Sequence, residues 1–299
     1  MKVVLFCGGF GMRLRGYSEN VPKPMVKVGY RPILWHVMKY YAYYGHTDFI
    51  LCLGYKADVI KRYFLDYDEW VTNDFVLSDG GQTVELFDTD IDDWRITFVD
   101  TGLKASVGER LQAVQPHLED EEVFLANYAD GVTDLHLPDM MDFFEAKGRV
   151  GCFLSVHPNA TFHTIQSSPD GTVEQIQGIK DSDMRINGGF FIFRNEVFDY
   201  MRPGEELVEE PFDRLIQDQE LMSYRYDGFW ACMDTFKEKQ TLEDMQKSEA
   251  APWEVWKEHH TSPDQPVRMK SQRFSATPNG GIEHGSSEEQ PSEHALTDG

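Results

Sequence analysis

Three glycines, three cations and two carboxylates carry the chemistry that this chain could perform. Gly8, Gly9 and Gly11 follow directly on the apolar run Lys2 to Cys7. Arg13 and Arg15 come next, and Lys23 stands between Pro22 and Pro24. Glycine removes the side chain where a backbone must bend sharply or approach a ligand closely. Backbone N–H groups of such a loop point at an anion, and arginine adds charge-assisted, often bidentate, bonds. The pattern is a phosphate cradle. Asp130 follows the apolar run Val123 to Asn127 and precedes Gly131, and Asp234 closes the run Phe229 to Met233. Carboxylates at strand ends, opposite a phosphate loop, suit Mg²⁺, which takes one or two carboxylates together with phosphate oxygens. Taken alone, each aspartate also reads as a turn residue or a helix N-cap.

The loop admits several ligands. A Walker loop needs Gly-Lys-Ser/Thr at its end, which is missing here. A dinucleotide fingerprint needs G-x-G-x-x-G, and Leu14 stands where the third glycine would be. The cations at the mouth suit a triphosphate better than a pyrophosphate bridge. A redox dinucleotide enzyme is therefore the weakest reading.

The elements that position these residues follow from periodicity. Lys2 to Cys7 is a buried strand. Pro32 to Tyr44 has helical spacing and closes at Gly45, a C′ glycine. Phe49 to Leu53 is a strand and Lys56 to Leu65 a helix. This order predicts an α/β chain whose parallel sheet is joined by crossover helices. Residues 66–106 are richer in aspartate and glycine, with short runs at Phe75–Leu77, Val84–Phe87 and Arg95–Val99. They read as a small β-rich insertion, long enough to be an arm to a second subunit. Helices are expected from Gly108 to Val114, Leu137 to Ala146, Asn195 to Met201, Glu210 to Gln219 and Phe236 to Lys247. Strands are expected at Val123–Asn127, Gly151–Val156 and Ile186–Phe193. The glycine pair Gly188–Gly189 inside the last of these marks a bulge or a close backbone approach to a ligand. Residues 1–257 thus read as one domain, and residues 258–299 as a disordered low-complexity tail.

Composition bounds the partners. The net charge of −23 over 299 residues argues against nucleic acid or an anionic membrane. The tail holds 7 acidic and 3 basic residues, so −19 remains on residues 1–257. Positive potential for a phosphate ligand must be local. No apolar run approaches the ~20 residues of a membrane span. Cys7, Cys52, Cys152 and Cys232 are scattered, as expected of buried thiols in a reducing cytoplasm. His36 and His46 are expected to be structural.

The segments GGFGMRLRGYSENVPKPM, PILWHVMKYY, GYKADVIKRYF, VDTG, YADGVTDL, INGGFFIF, Glu210-Pro211, GFWACMDT and APWEVW span residues 1 to about 257. Together they resemble the glucose-1-phosphate cytidylyltransferase-like sugar nucleotidyltransferases. The resemblance implies a Rossmann-like nucleotide-binding fold with a mixed, mostly parallel sheet flanked by helices. It implies Mg²⁺-dependent transfer of a nucleotidyl group, CMP from CTP, to glucose 1-phosphate or a related acceptor, and a homo-oligomer. Gly8, Gly9 and Gly11 would hold base and phosphates through the backbone. Arg13 would bind the β- and γ-phosphates. Lys23 would neutralise the α-phosphate or the attacking sugar phosphate, so Arg13 and Lys23 are the catalytic candidates. Asp130 and Asp234 would hold the metal. Asn187 and Gly188 would line the sugar pocket, and Arg110 and Lys180 complete the substrate-binding set. The chain departs from the family pattern at Met12, at Ala129 and at Gly178–Asp181, where a Glu-Lys-Pro signature is replaced. Those departures keep open another nucleotide, another phosphorylated acceptor, or a non-catalytic nucleotide-sugar-binding regulator.

Overall fold

The computed structural model describes residues 1–9, 21–159, 162–179 and 182–257, and the backbone strand at 270–273. The chain opens on β1 (Lys2–Phe6), followed by the short ladder β2 (Lys27–Val28) with β3 (Arg31–Pro32), then α1 (Ile33–Tyr43), β4 (Asp48–Leu53) and α2 (Ala57–Leu65). A hairpin of β5 (Phe75–Ser78) and β6 (Thr83–Leu86) precedes β7 (Arg95–Asp100) and α3 (Val107–Val114). Then come β8 (Val123–Tyr128), β9 (Gly131–Thr133), α4 (Leu137–Lys147) and β10 (Gly151–Val156). A second hairpin, β11 (His163–Ser167) with β12 (Val173–Gly178), leads to β13 (Ile186–Asn187) and β14 (Phe191–Arg194). The remaining elements are α5 (Glu210–Gln217), β15 (Leu221–Arg225), β16 (Trp230–Cys232), α6 (Phe236–Lys247) and β17 (Lys270–Arg273).

The central sheet is mixed and mostly parallel. β8, β1, β4 and β7 run parallel side by side. β14 joins β8 antiparallel, β10 joins β14 antiparallel, and β15 joins β10 parallel. Successive side chains of a strand point to opposite faces, so each strand feeds two cores. Val3 and Leu5 pack with α1 and α4, whereas Val4 and Phe6 pack with α3 and α5. Phe49, Leu51 and Leu53 join the first core, and Ile50 and Cys52 the second. A strand buried on both faces reads as a continuous apolar run, which is why these strands were visible in sequence.

Three expectations need correction. The Arg95–Val99 run is part of the main sheet, not of the insertion: β7 is its edge strand, parallel to β4 from Asp48↔Arg95 to Leu53↔Asp100. With one strand edge open, β7 is only half-buried and carries polar residues among its apolar ones. The insertion proper is the β5–β6 hairpin. Within the expected disordered tail, β17 pairs antiparallel with β6, from Lys270↔Leu86 to Arg273↔Thr83. A backbone ladder does not require apolar side chains, so composition could not reveal it. The rest of 258–299 lies outside the described residues. Residues 195–200 form a 3₁₀ turn, not an α-helix.

Arg31, 3% exposed, fastens the insertion to the body. Its Nη2 donates to the Asp68 carbonyl at 2.8 Å, to Thr72 Oγ1 at 2.8 Å and to Asp90 Oδ2 at 3.3 Å. Its guanidinium lies 4.2 Å over the Tyr67 ring. His36 is likewise structural. It is buried, its Nε2 stands 3.0 Å from the Val28 carbonyl, and burial pushes its pKa down to about 4.

Candidate active site

The strands β1 and β8 end side by side, with Val3↔Leu125 to Phe6↔Tyr128 in register. Beyond their carboxyl ends opens a cavity of about 550 Å³. Ligands of open α/β sheets collect at such a position. Gly8 and Gly9 line one wall, and Lys23, Asp130 and Asp234 line another. Ser106, Arg110, Tyr128 and Glu206 close the rest.

Lys23 reaches this point from a rigid base. It opens a 3₁₀ turn, Lys23–Met25, in which Pro24 and Met25 are buried. The Met25 N–H donates to the Pro22 carbonyl at 2.8 Å, and the Val26 N–H to the Lys23 carbonyl at 3.1 Å. The Lys23 ammonium pairs at once with Asp130 Oδ2 and Asp234 Oδ1. Burial alone would lower its pKa, but the two carboxylates outweigh burial and hold the ammonium above its ordinary range.

Asp130 sits in the turn from β8 to β9. Its carbonyl accepts from the Met233 N–H at 3.0 Å, which ties the two aspartate-bearing segments together. β16 and β9 pair antiparallel beside it. Asp234 precedes α6, but the N-cap of α6 is Thr235, which forms a capping box with Glu238. Glu238 Oε2 accepts both the Asp234 N–H at 2.8 Å and the Thr235 N–H at 2.7 Å. The N-cap reading of Asp234 is thereby removed, and so is that of Asp130, since a strand and not a helix follows it. Two capping boxes, Ser106 with Glu109 and Thr235 with Glu238, were not among the expected features. Their signal was present as S-x-x-E and T-x-x-E.

Arg110 lines the cavity but is also a clasp. It is 4% exposed. Its Nη2 donates to the Gly8 carbonyl at 3.1 Å, and its Nη1 donates to the Leu53 carbonyl at 3.2 Å and to Thr101 Oγ1 at 2.7 Å. One guanidinium thus gathers the ends of β1, β4 and β7, and burial draws its pKa down. A Cβ on Gly8 would stand 2.0 Å from Arg110 Nη1, so any larger residue there requires the guanidinium to shift.

Asn187 and Gly188 stand apart from the cavity lining. Asn187 hydrogen-bonds Tyr128, one layer behind the wall, and its Oδ1 accepts from the Gly189 N–H at 2.9 Å. The Gly188 carbonyl accepts from Trp230 Nε1 at 2.8 Å. The glycine pair splits one strand into β13 and β14. Gly189 has φ +76° and a Cβ on it would meet Asn127 Oδ1 at 2.5 Å. Packing and backbone geometry therefore account for the glycines without a ligand. Trp230 also borders a second cavity of about 720 Å³, lined by His157, Phe162, Tyr226, Phe229 and Lys237 among others. Gly11, Arg13 and Lys180 lie outside the described residues.

The residues present fit a divalent cation. The donor set is two carboxylates on separate segments, already converging on one cationic group. Among the described residues no three His, Cys, Asp or Glu side chains converge as a self-sufficient metal cage. A site of two carboxylates completed by phosphate oxygens is what Mg²⁺ uses.

Gly8 and Gly9 at the sheet's carboxyl edge, on one cavity with a lysine and two carboxylates, fit the site of an α/β enzyme. Residues 2–238 match the family described as nucleotidyl transferase. The glucose-1-phosphate cytidylyltransferase of Salmonella typhimurium is 37% identical over 258 residues, covering 86% of this chain and 100% of the relative. The mannose-1-phosphate guanyltransferase of Gibberella zeae is 26% identical, covering 81% of this chain and 62% of the relative. A solved UDP-glucose pyrophosphorylase complexed with UDP-glucose shares the fold, with a TM-score of 0.61 at 11% identity, covering 83% of this chain and 98% of that one. The chain belongs to the nucleotidyl transferase family, as a cytidylyltransferase-like sugar-1-phosphate nucleotidyltransferase. Among the described residues no helix is long and apolar enough to cross a membrane.

Proposed function

We propose that this chain transfers CMP from CTP to glucose 1-phosphate, with Mg²⁺, and releases pyrophosphate. The observation that carries the reading is the convergence of Asp130, Asp234 and Lys23 opposite Gly8 and Gly9. The full-length likeness to glucose-1-phosphate cytidylyltransferases supports the choice of substrates. In the proposed step a phosphate oxygen of the sugar 1-phosphate attacks the α-phosphorus of CTP. The new P–O bond forms as the bond to the β-phosphate oxygen breaks, and pyrophosphate leaves with that electron pair. The nucleophile is already anionic, so no general base is required, and no histidine is among the described residues that line the cavity.

The difficulty is to align two polyanions, so positioning and charge neutralisation supply the catalysis. Asp130 and Asp234 would hold Mg²⁺, which supplies charge to the phosphates in the transition state. Lys23 carries its charge to the α-phosphate or the incoming sugar phosphate. Gly8 and Gly9 would let the nucleotide lie against the backbone, and Gly11 and Arg13 would serve the outer phosphates. Arg110 holds the cradle's floor and borders the nucleotide. Asn187 supports the acceptor side through Tyr128. Gly188, set back from the cavity lining, would shape the acceptor side only through its contact with Trp230, and Lys180 would be the acceptor-phosphate cation. The exposed Trp70, Phe75 and Leu77 of the insertion make it our candidate arm for a homo-oligomer, and a clean monomer in ultracentrifugation would exclude that. The free thiols of Cys7, Cys52, Cys152 and Cys232 suit a cytoplasmic enzyme.

The test is pyrophosphate release with Mg²⁺, crossing the four common nucleoside triphosphates with a panel of sugar 1-phosphates. CTP with glucose 1-phosphate is expected to give the strongest signal. Release with a different pair would keep the chemistry and move the specificity to residues 157–189. Tight nucleotide binding without release from any pair would overturn the enzyme reading in favour of a regulator.

A further inference from the structure

We propose that Lys23 is the resident counter-ion of the Asp130–Asp234 pair, so that divalent metal and nucleotide bind with positive cooperativity: each is admitted only as the Lys23 ammonium is drawn off the carboxylates. The inference rests on the metal-dependent reading above and adds a coupling that the reading does not contain.

The geometry on which it stands is specific. The two carboxylates belong to segments held together by the Asp130 carbonyl and the Met233 N–H at 3.0 Å. Glu238 holds the Asp234 backbone at 2.8 Å. The Lys23 backbone is fixed by the buried turn between Pro22 and Val26. With these backbones held, the lysine side chain, with its flexible four-carbon stem, can leave the carboxylates without moving the fold. Its ammonium bridges one oxygen of each carboxylate, with the side chain only 15% exposed. A metal shared by the same oxygens and the ammonium cannot hold that position together, because both are cations. The ammonium is a compact point charge that serves equally well on phosphate oxygens. A nucleotide's phosphates therefore give Lys23 a second partner and vacate the carboxylates. Coupling between two ligands is reciprocal, so the metal must favour nucleotide by the same factor.

The consequence is counter-intuitive for a residue that binds substrate. Removing its charge should improve metal binding while it damages nucleotide binding. The probe is Mn²⁺ alone, counted as free ion by electron paramagnetic resonance, on the full chain without nucleotide. Lys23→Met and Lys23→Gln are expected to bind Mn²⁺ at least ~10-fold more tightly than wild type, in line with loss of one charge at contact distance. The gain should vanish in Lys23→Met/Asp234→Asn. Equal or weaker Mn²⁺ binding by the folded single variants would overturn the proposal. A second measurement uses the unaltered protein. Saturating Mn²⁺ should speed reductive methylation of Lys23 several-fold, read by peptide mass spectrometry, and an unchanged or slower rate would also overturn it. Failure of the underlying reading looks different. Wild type would then release no pyrophosphate from any substrate pair, whereas failure of the counter-ion alone leaves turnover with Mg²⁺ intact.

Discussion

Substituting Gly8 by alanine isolates what the first glycine does. The added Cβ would lie 2.0 Å from Arg110 Nη1 and 2.1 Å from its Cζ. The guanidinium must withdraw, and its bonds to the Gly8 carbonyl, the Leu53 carbonyl and Thr101 Oγ1 are lost or stretched. A hydrogen bond to a charged group is worth about 1.5–3 kcal/mol. The full three-bond loss is not expected. Thr101 Oγ1 still donates to the Leu53 carbonyl at 2.8 Å, and the displaced guanidinium is rehydrated in the adjoining cavity. We expect a destabilisation of about 3 kcal/mol in urea unfolding. Gly9→Ala is the control. Among the described residues nothing lies within 4 Å of a Cβ there, so stability should hold within about 0.5 kcal/mol while nucleotide affinity falls. Arg110→Ala supplies the second axis of a double-mutant cycle. In that background Gly8→Ala should lose most of its penalty, a coupling of about 2 kcal/mol. A Gly8→Ala protein of wild-type stability, or a penalty undiminished without Arg110, would refute the assignment.

Other perturbations separate the parts of the site. Asp130→Asn and Asp234→Asn should each lower kcat for pyrophosphate release by at least ~100-fold with little change in far-ultraviolet circular dichroism, and near-normal kcat in either would remove that aspartate from the chemistry. Glu238→Ala touches no substrate in the proposed reading, yet it frees the Asp234 and Thr235 N–H groups. It should cost about 1 kcal/mol of stability and lower kcat several-fold, and an unchanged kcat would mean that Asp234 needs no such support. His36 sets a pH dependence of stability. Its folded pKa of about 4 lies below the ordinary 6.5, so its contribution is intact above pH 6.5 and lost as pH falls toward 4, where the unfolded chain takes a proton that the folded one refuses. The loss should reach about 3 kcal/mol, with His46 acting in the same direction, and a His36→Gln protein should show a flatter unfolding profile between pH 6.5 and 4.

The parts legible in the sequence were those set by local pattern. Val3 to Phe6 and Phe49 to Leu53 are apolar at every position because both faces of the sheet are covered, and the loop after β1 needs glycine where Arg110 crowds the backbone. What pairs with what was less legible. Arg95 to Asp100 has the same half-apolar look in an edge strand of the main sheet as in a separate meander, and only its register with β4 decides between them. The Gly188–Gly189 pair marked a close approach, as expected of glycine in a strand, but Trp230 and Asn127 make that approach. Arg110 was expected only as a member of the substrate-binding set. Its second role comes from acceptors on β1, β4 and the end of β7, which meet only when the sheet forms.

The charge balance explains why such an acidic chain can still take polyanions. Among the described lining residues, Lys23 and Arg110 face Asp130, Asp234 and Glu206, so the cavity is net negative by one charge. A triphosphate approaching that site alone meets repulsion from the wall as well as from the −23 of the whole chain. One divalent cation held by Asp130 and Asp234 would change the sign of the lining and, in the proposed coupling, would free Lys23 for the phosphates. The local field that attracts substrate is then assembled together with the substrate. Exposed charges beyond a Debye length of about 8 Å are screened at physiological salt, so the acidic exterior weighs less than this short-range reversal. An acidic surface and a phosphate site are therefore compatible provided the metal arrives with the nucleotide. The apparent Mg²⁺ requirement should accordingly follow the concentration of the metal–nucleotide complex and not that of free metal.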